Sequence, residues 1–272
     1  LICFYDSNGI SIDGEIKDWY KDDIKLRCES YGWNVIGEID GHNRDEINQA
    51  IVAAKESNKP TMIVCKTSIG YGAGSKQDSE SSHGAPLGEE VLAELRKNLD
   101  WEYKPFEIPE SVYADWDFKE KGKNLEENWR AICADHEKND PEKATLLKRL
   151  VSGDLPENFM EAFDNHIEVL KENNDSIATR KCSQMILEFL KEHLPELIGG
   201  SADLSGSNNT ITKASLSVNS NSSGNYIYYG VREFGMNAIM NGMSLHGGII
   251  PYGGTFLVFM DYGRNAVRMS AL

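Results

Sequence analysis

Thr61-Met62-Ile63-Val64-Cys65-Lys66, running into Thr67-Ser68-Ile69-Gly70-Tyr71-Gly72-Ala73-Gly74-Ser75, is the stretch whose reading decides the fold. The first six residues are an apolar, β-branched run without polar alternation. That pattern predicts a strand buried on both faces, as in a parallel sheet. Lys59-Pro60 just before it stops the preceding helix. The Gly/Ser-rich segment after it, continuing to Ser81-Ser82-His83-Gly84-Ala85-Pro86-Leu87-Gly88, has the length and composition of an active-site loop or lid.

Working upstream, Leu1 to Tyr5 reads as a second buried strand, followed by the loop Asp6-Ser7-Asn8-Gly9-Ile10-Ser11-Ile12-Asp13-Gly14. Residues 22–31 have helical spacing, Trp33 to Ile39 a strand pattern. A helix opens at Asn43 or Asp45, with Ile47, Ala50, Ile51 and Ala54 on its inner face. Strand and helix thus alternate through roughly the first hundred residues, the signature of a parallel α/β layer. Downstream, from Trp101 to Asn174, prolines 105, 109, 141 and 156 punctuate charged helices over 124–136 and 157–172. Trp116, Trp129 and Phe163 offer apolar anchors at helical spacing, and the segment reads as a helical linker. Alternation resumes at Ile177: a helix over 178–193, a strand over 197–204, a helix over 236–246, an apolar run within 251–259 and a helix from Tyr262. The expected fold class is α/β, with parallel sheets flanked by helices in two layers, 1–100 and 176–272, joined by the helical linker 101–175.

The chain has 272 residues, 40% hydrophobic and 26% charged, which suits a globular protein with a real core. Its net charge of −15, from 43 acidic and 28 basic residues, argues against nucleic acid or an anionic membrane as partner. No apolar run approaches about 18 residues, the length of a membrane-spanning helix. The five cysteines at 3, 28, 65, 133 and 182 show no metal spacing, and an odd, scattered set predicts reduced thiols and a cytoplasmic protein. Both ends read as cuts through structured elements, so a longer parent protein is expected.

Three stretches carry candidate chemistry. Asn and Asp oxygens among the glycines of the 6–14 loop suit a hard cation such as Mg²⁺ or Ca²⁺, and equally suit an ordinary Asn-Gly turn. In Tyr229-Gly230-Val231-Arg232-Glu233-Phe234-Gly235, the lone Glu233 is either a partly desolvated proton partner or an ion-pair and capping residue. Phe256, Phe259 and Tyr262, three residues apart, are either a core stripe or an aromatic box for a planar ligand. His83, between Ser82 and Gly84, is an exposed loop histidine, solvated or functional.

Taken together, six segments resemble the thiamine-diphosphate enzyme family transketolase: residues 5–14, 65–72, 82–88, 199–204 (Gly-Gly-Ser-Ala-Asp-Leu), 230–236 and 264–269 (Arg-Asn-Ala-Val-Arg-Met), in family order along the whole chain. The resemblance implies a reversible transfer of a two-carbon ketol unit from a ketose phosphate to an aldose phosphate, in the pentose phosphate pathway. It implies thiamine diphosphate and Mg²⁺ (or Ca²⁺) as cofactors, and a homodimer with its active site between subunits. By the same resemblance, 1–100 is the C-terminal half of the diphosphate-binding domain and 176–272 the N-terminal half of the pyrimidine-binding domain. Asn8, through its side chain, and Ile10, through its carbonyl, match ligands of the divalent ion. Ile12 and Ile69 match aliphatic residues against the thiazolium ring, and His83 faces cofactor and sugar. Arg180 and Ser207 resemble the substrate-phosphate contacts, and Asp203 the acid near the thiazolium and the substrate hydroxyls. Glu233 matches the glutamate that shares a proton with the aminopyrimidine nitrogen. Phe259 would stack on that ring, with Phe256 and Tyr262 completing its pocket.

The family's Gly-Asp-Gly metal motif and several histidines are expected upstream of Leu1, and a sugar-pocket His and Asp, with a third domain, beyond Leu272. The rival readings are dihydroxyacetone synthase, a deoxyxylulose-phosphate synthase, or a non-catalytic fragment or partner. Arg180, Ser207 and the 82–88 segment favour phosphosugars. Retention of Asn8, His83, Asp203 and Glu233 together speaks against decay.

Overall fold

Ile63, fully shielded from solvent, sits at the centre of the first sheet in a computed structural model that describes residues 1–173, 175–221 and 223–272. Asn174, in the expected linker, and Ser222, in the Ser/Asn-rich run, lie outside the described residues. The chain divides into two units, Leu1–Asp117 and Phe118–Leu272.

In the first unit, β1 (Ile2–Ser7) leads into a small hairpin of β2 (Ile10–Ser11) and β3 (Gly14–Glu15). Helix α1 (Ile24–Ser30), strand β4 (Asn34–Asp40), helix α2 (Arg44–Glu56) and strand β5 (Thr61–Lys66) follow, then α3 (Glu89–Asn98) and α4 (Glu110–Trp116). β1, β5 and β4 form an all-parallel sheet in that order, with Phe4, Ile63 and Ile36 in register. The unbroken apolar run of β5 is explained by this central place. Burying a side chain such as Ile63 contributes about 1.5–3 kcal/mol. Asn43 settles where α2 starts: its Oδ1 accepts from the N–H groups of Asp45 and Glu46 at 3.0 and 3.3 Å. Ala50 and Ala54, small enough for close approach, pack α2 onto Ile63 and Cys65.

In the second unit, α5 (Lys119–Asn139), α6 (Pro141–Ser152) and α7 (Phe159–Asn173) precede α8 (Thr179–His193) and β6 (Leu197–Ser201). The short helix α9 (Ser205–Asn208), β7 (Tyr226–Tyr228), α10 (Glu233–His246), β8 (Ile250–Gly254) and α11 (Met260–Ala271) complete it. β7, β6 and β8 form a second all-parallel sheet with β6 in the middle. Phe159 of α7 packs with Phe189 of α8 and Leu194 and Leu197, so this helix joins the core of the second sheet.

Several readings change. The two compact units divide at residue 117, inside the segment expected as linker, and α7 packs Phe159 into the core of the second sheet. Trp116 and Trp129, expected as apolar anchors, are 80% and 59% exposed, and only Phe163 packs inward. α10 begins at Glu233 rather than Met236, so the lone carboxylate lies in the helix's first turn. The strand expected over 197–204 stops at Ser201, where Asp203 turns left-handed at φ 60°. β7 was not foreseen in its polar surroundings. Among the described residues, no helix is long and apolar enough to cross a membrane.

Candidate active site

Parallel strands place their carboxyl ends along one edge, and loops leaving that edge are where open α/β sheets take ligands. In the first sheet the loops after β1, β5 and β4 begin with Asn8, Thr67 and Gly41. A cleft of about 400 Å³ opens there, lined by Asn8, Ile10, Thr67, Ser68 and Asp78 among others. Asn8 Oδ1 accepts from the N–H of Ile10 at 2.9 Å, and Gly9 between them has φ 74°, so the Asn-Gly turn and the oxygen-rich lip are one structure. Ile12, at the tip of the β2–β3 hairpin, is 70% exposed, and Ile69 is half-buried beside Ser68. His83 closes the short 3₁₀ turn Glu80–Ser82 and is exposed.

In the second sheet, Asp203 follows β6, Glu233 follows β7, and Phe256 and Phe259 follow β8. Asp203 lines a cleft of about 370 Å³ with Ser201, Ser205, Gly206, Tyr228 and Arg232. Its positive φ is strained for a non-glycine residue, a feature that clusters at functional sites. Ser207 is exposed in α9, and Arg180 is exposed in the first turn of α8. The edge is tied together: Tyr229 N–H donates to Ser201 O, and Ala202 N–H and Ser201 Oγ both donate to Gly254 O, at 3.0–3.1 Å.

Glu233 is the most telling residue. The residue is 8% exposed, no hydrogen bond or ion pair reaches its carboxylate among the described residues, and the carboxylate oxygens keep contact with solvent. Its neighbour Arg232 turns away and donates from Nη1 to the Tyr229 carbonyl at 3.0 Å, over Gly230. A Cβ at Gly230 would stand 2.5 Å from that nitrogen, and φ is +67°. The ion-pair alternative for Glu233 is therefore excluded. Phe256, Phe259 and Tyr262 are not a core stripe: centroids are 5.7 Å and 6.1 Å apart, Phe256 is 41% and Tyr262 69% exposed, and the ladder faces outward.

These features fit a thiamine-type cofactor. A carboxylate that no protein group pairs and an exposed aromatic ladder suit a protonatable planar ring, and an oxygen-rich cleft at a sheet edge suits a diphosphate with its cation. Among the described residues, no cluster of three or more His, Cys, Asp or Glu forms a metal site. Asn8 and the Ile10 carbonyl supply neutral oxygens, so a cation would be shared with phosphate oxygens, as is usual for Mg²⁺.

Three features escaped sequence reading. His42 accepts from the Ser68 N–H at 2.9 Å and stacks on Tyr71. Lys191 is buried between Tyr226 and Tyr252. Arg149 and Glu196 form a buried ion pair. Each joins positions far apart in sequence, and only the first borders the cleft.

Residues 1–156 match the family profile described as "Transketolase, thiamine diphosphate binding domain", and 175–272 that of "Transketolase, pyrimidine binding domain". The chain is 53% identical over 273 residues to Transketolase 2 of Vibrio vulnificus (strain CMCP6), covering all of this chain and 41% of that protein. It is 51% identical over 275 residues to Transketolase 1 of Pasteurella multocida (strain Pm70), again covering 41% of the relative. The chain thus spans well under half the length of the curated relatives it matches. Among solved structures, it superposes at TM-score 0.88 and 35% identity on the transketolase of Pichia stipitis in complex with sedoheptulose 7-phosphate, over 100% of this chain and 41% of that one. The transketolase of Leishmania mexicana gives TM-score 0.87 and 35% identity, over 99% of this chain and 40% of that one.

Proposed function

The chain belongs to the transketolase family, and from that membership we propose that it is the central part of an enzyme that moves a two-carbon ketol unit from a ketose phosphate to an aldose phosphate. Such an enzyme is a transferase of aldehyde or ketone groups in the pentose phosphate pathway. The observation that carries the reading is Glu233: a largely buried residue whose carboxylate no protein group pairs and which keeps contact with solvent, in the unit that also carries the exposed aromatic ladder.

Thiamine diphosphate, when bound, supplies the carbanion chemistry that makes and breaks carbon–carbon bonds beside a carbonyl. Glu233 holds a proton at the ring nitrogen of the aminopyrimidine. Phe259 stacks on that ring, and Phe256 and Tyr262 complete the apolar walls. Ile12 and Ile69 exclude water from the thiazolium side. Asn8, through Oδ1, and Ile10, through its carbonyl, hold Mg²⁺ or Ca²⁺ against the diphosphate. His83 and Asp203 orient the sugar hydroxyls, while Arg180 and Ser207 bind the sugar phosphate, a guanidinium being suited to bidentate contact with phosphate oxygens.

The working form is a homodimer in which one copy brings the diphosphate loops and the other brings Glu233. Exposed Phe234 in the first turn of α10, with exposed Leu257, Val258 and Tyr262 after β8, supports a covered apolar surface in this unit. Five unpaired cysteines support a cytoplasmic location. The test is acceptor profiling of the full-length chain with xylulose 5-phosphate as donor. Turnover on ribose 5-phosphate supports the reading, and turnover only on formaldehyde overturns it in favour of a dihydroxyacetone synthase.

A further inference from the structure

We propose that His42 is a positioning residue for the cofactor cleft, holding the Ser68–Tyr71 wall in place through one hydrogen bond and one ring stack. The inference rests on the reading that this cleft takes the cofactor diphosphate.

The local sequence builds a rigid post at the end of β4. Asp40 Oδ1 accepts from the N–H of His42 at 2.9 Å, and Glu46 Oε2 accepts from the N–H of Asp40 at 2.9 Å. Asn43 donates from Nδ2 to Glu46 Oε1 at 3.1 Å while capping α2, so the turn is anchored to a helix. Gly41 then lets this post lie directly against the end of β5. Its N–H donates to Lys66 O at 2.8 Å, and a Cβ there would stand 2.4 Å from Thr67 Cγ2.

From that post the imidazole reaches the loop after β5. Nε2 accepts from the Ser68 N–H at 2.9 Å, and since a backbone N–H can only donate, the ring proton sits on Nδ1. The same ring lies flat on Tyr71, centroids 3.9 Å apart at 15°. Both contacts act on one short segment. Ser68 lines the cleft that Asn8 and Ile10 also line, and Ile69 and Gly70 lie between the two contact points. Ile69 O in turn accepts from the N–H of Asp78, another cleft residue, at 2.9 Å. Histidine is the side chain that offers an acceptor nitrogen and a flat ring together. Phenylalanine keeps only the stack, and glutamine only the acceptor.

The experiment uses the full-length protein and the variants His42→Ala, His42→Phe and His42→Gln. Three quantities are read: amide hydrogen exchange over 68–72, the dissociation constant of thiamine diphosphate, and kcat at saturating cofactor. His42 is exposed, so these variants fold. In His42→Ala, exchange at Ser68 accelerates and cofactor affinity falls roughly tenfold, the scale of one net hydrogen bond. The loss falls on affinity rather than on kcat, and each of the other two variants restores part of it. If exchange stays as in the parent, or exchange rises while cofactor affinity holds within about twofold, the inference is overturned. A parent that binds no thiamine diphosphate overturns the functional reading itself, and this inference with it.

Discussion

Arg149 of α6 and Glu196, just ahead of β6, meet as a bidentate pair: Nη1 lies 2.6 Å from Oε1 and Nη2 3.0 Å from Oε2, with side chains 17% and 5% exposed. Burial pushes the Glu196 carboxyl up, but the hydrogen bonds from Arg149 and from its own backbone, with the guanidinium charge, hold it below the usual range. The pair fixes a helix of the expected linker onto the second sheet. Removing one partner of a buried pair leaves the other charge uncompensated and costs about 3–5 kcal/mol. Arg149→Met is expected to lose stability on that scale in urea unfolding at pH 7, whereas Arg149→Met with Glu196→Leu recovers most of it. A carboxyl depressed in the folded state stabilises above its unfolded pKa and loses that contribution as pH falls through the folded one. The deficit of Arg149→Met relative to the parent therefore shrinks in acid.

Lys191 is the opposite case. Its Nζ donates to Ser215 Oγ at 3.0 Å and Asn225 Oδ1 at 3.4 Å, and faces the rings of Tyr226 and Tyr252. No carboxylate pairs with it among the described residues, and burial pushes the ammonium down to about 8. Between about 8 and its ordinary 10.5 the unfolded chain holds a proton that the folded chain lacks, so folding gains stability as pH rises through that window. Lys191→Met leaves Ser215 bonded to Thr212 and Asn225 bonded to Leu216. The variant is expected to be more stable than the parent at pH 7, with the advantage shrinking by pH 10. A constant difference across that range in thermal unfolding would show that the lysine does not titrate with folding.

Glycine substitutions should split in sign. A Cβ at Gly200 would stand 1.8 Å from the carbonyl oxygen of Ile227, and one at Gly199 2.0 Å from that of Tyr252. β6 has backbone on both sides at these points and nothing flexible to yield. Gly200→Ala must part β6 from β7, and is expected to cost about 3 kcal/mol or more. Gly122 sits inside α5 with open space around its Cβ position. Gly122→Ala is expected to stabilise by about 0.5–1 kcal/mol. Denaturant midpoints of the two variants check both signs.

Sequence reading found what local pattern encodes. β5 was legible because a central parallel strand must be apolar on both faces, and the Asn8–Ile10 turn because Asn-Gly is a local motif. The start of α10 was placed three residues late because Arg232, Glu233, Phe234 and Gly235 carry no helical periodicity. Phe256, Phe259 and Tyr262 are ambiguous in sequence because three-residue spacing serves a buried stripe and an exposed ladder alike, and only exposure separates them. β7 is three residues long, too short for a pattern. His42 was invisible because its partner Ser68 lies 26 residues on, across two neighbouring strand ends.

Glu233 gives the sharpest expectation about chemistry. Its carboxylate accepts no hydrogen bond from the protein among the described residues and keeps contact with solvent, so it contributes little to the fold. Glu233→Gln keeps the shape and removes the acid, and should leave thermal stability close to the parent's. The same change removes a proton partner, so turnover of the full-length enzyme should fall roughly 10²–10⁴-fold. Glu233→Ala should behave alike in turnover, though it also leaves a small cavity. Activity must therefore fall while stability holds, which a purely structural glutamate cannot produce. A Glu233→Gln variant that unfolds early with proportionate loss of activity would return the residue to the fold. One that keeps turnover within a few-fold of the parent would remove it from the reaction.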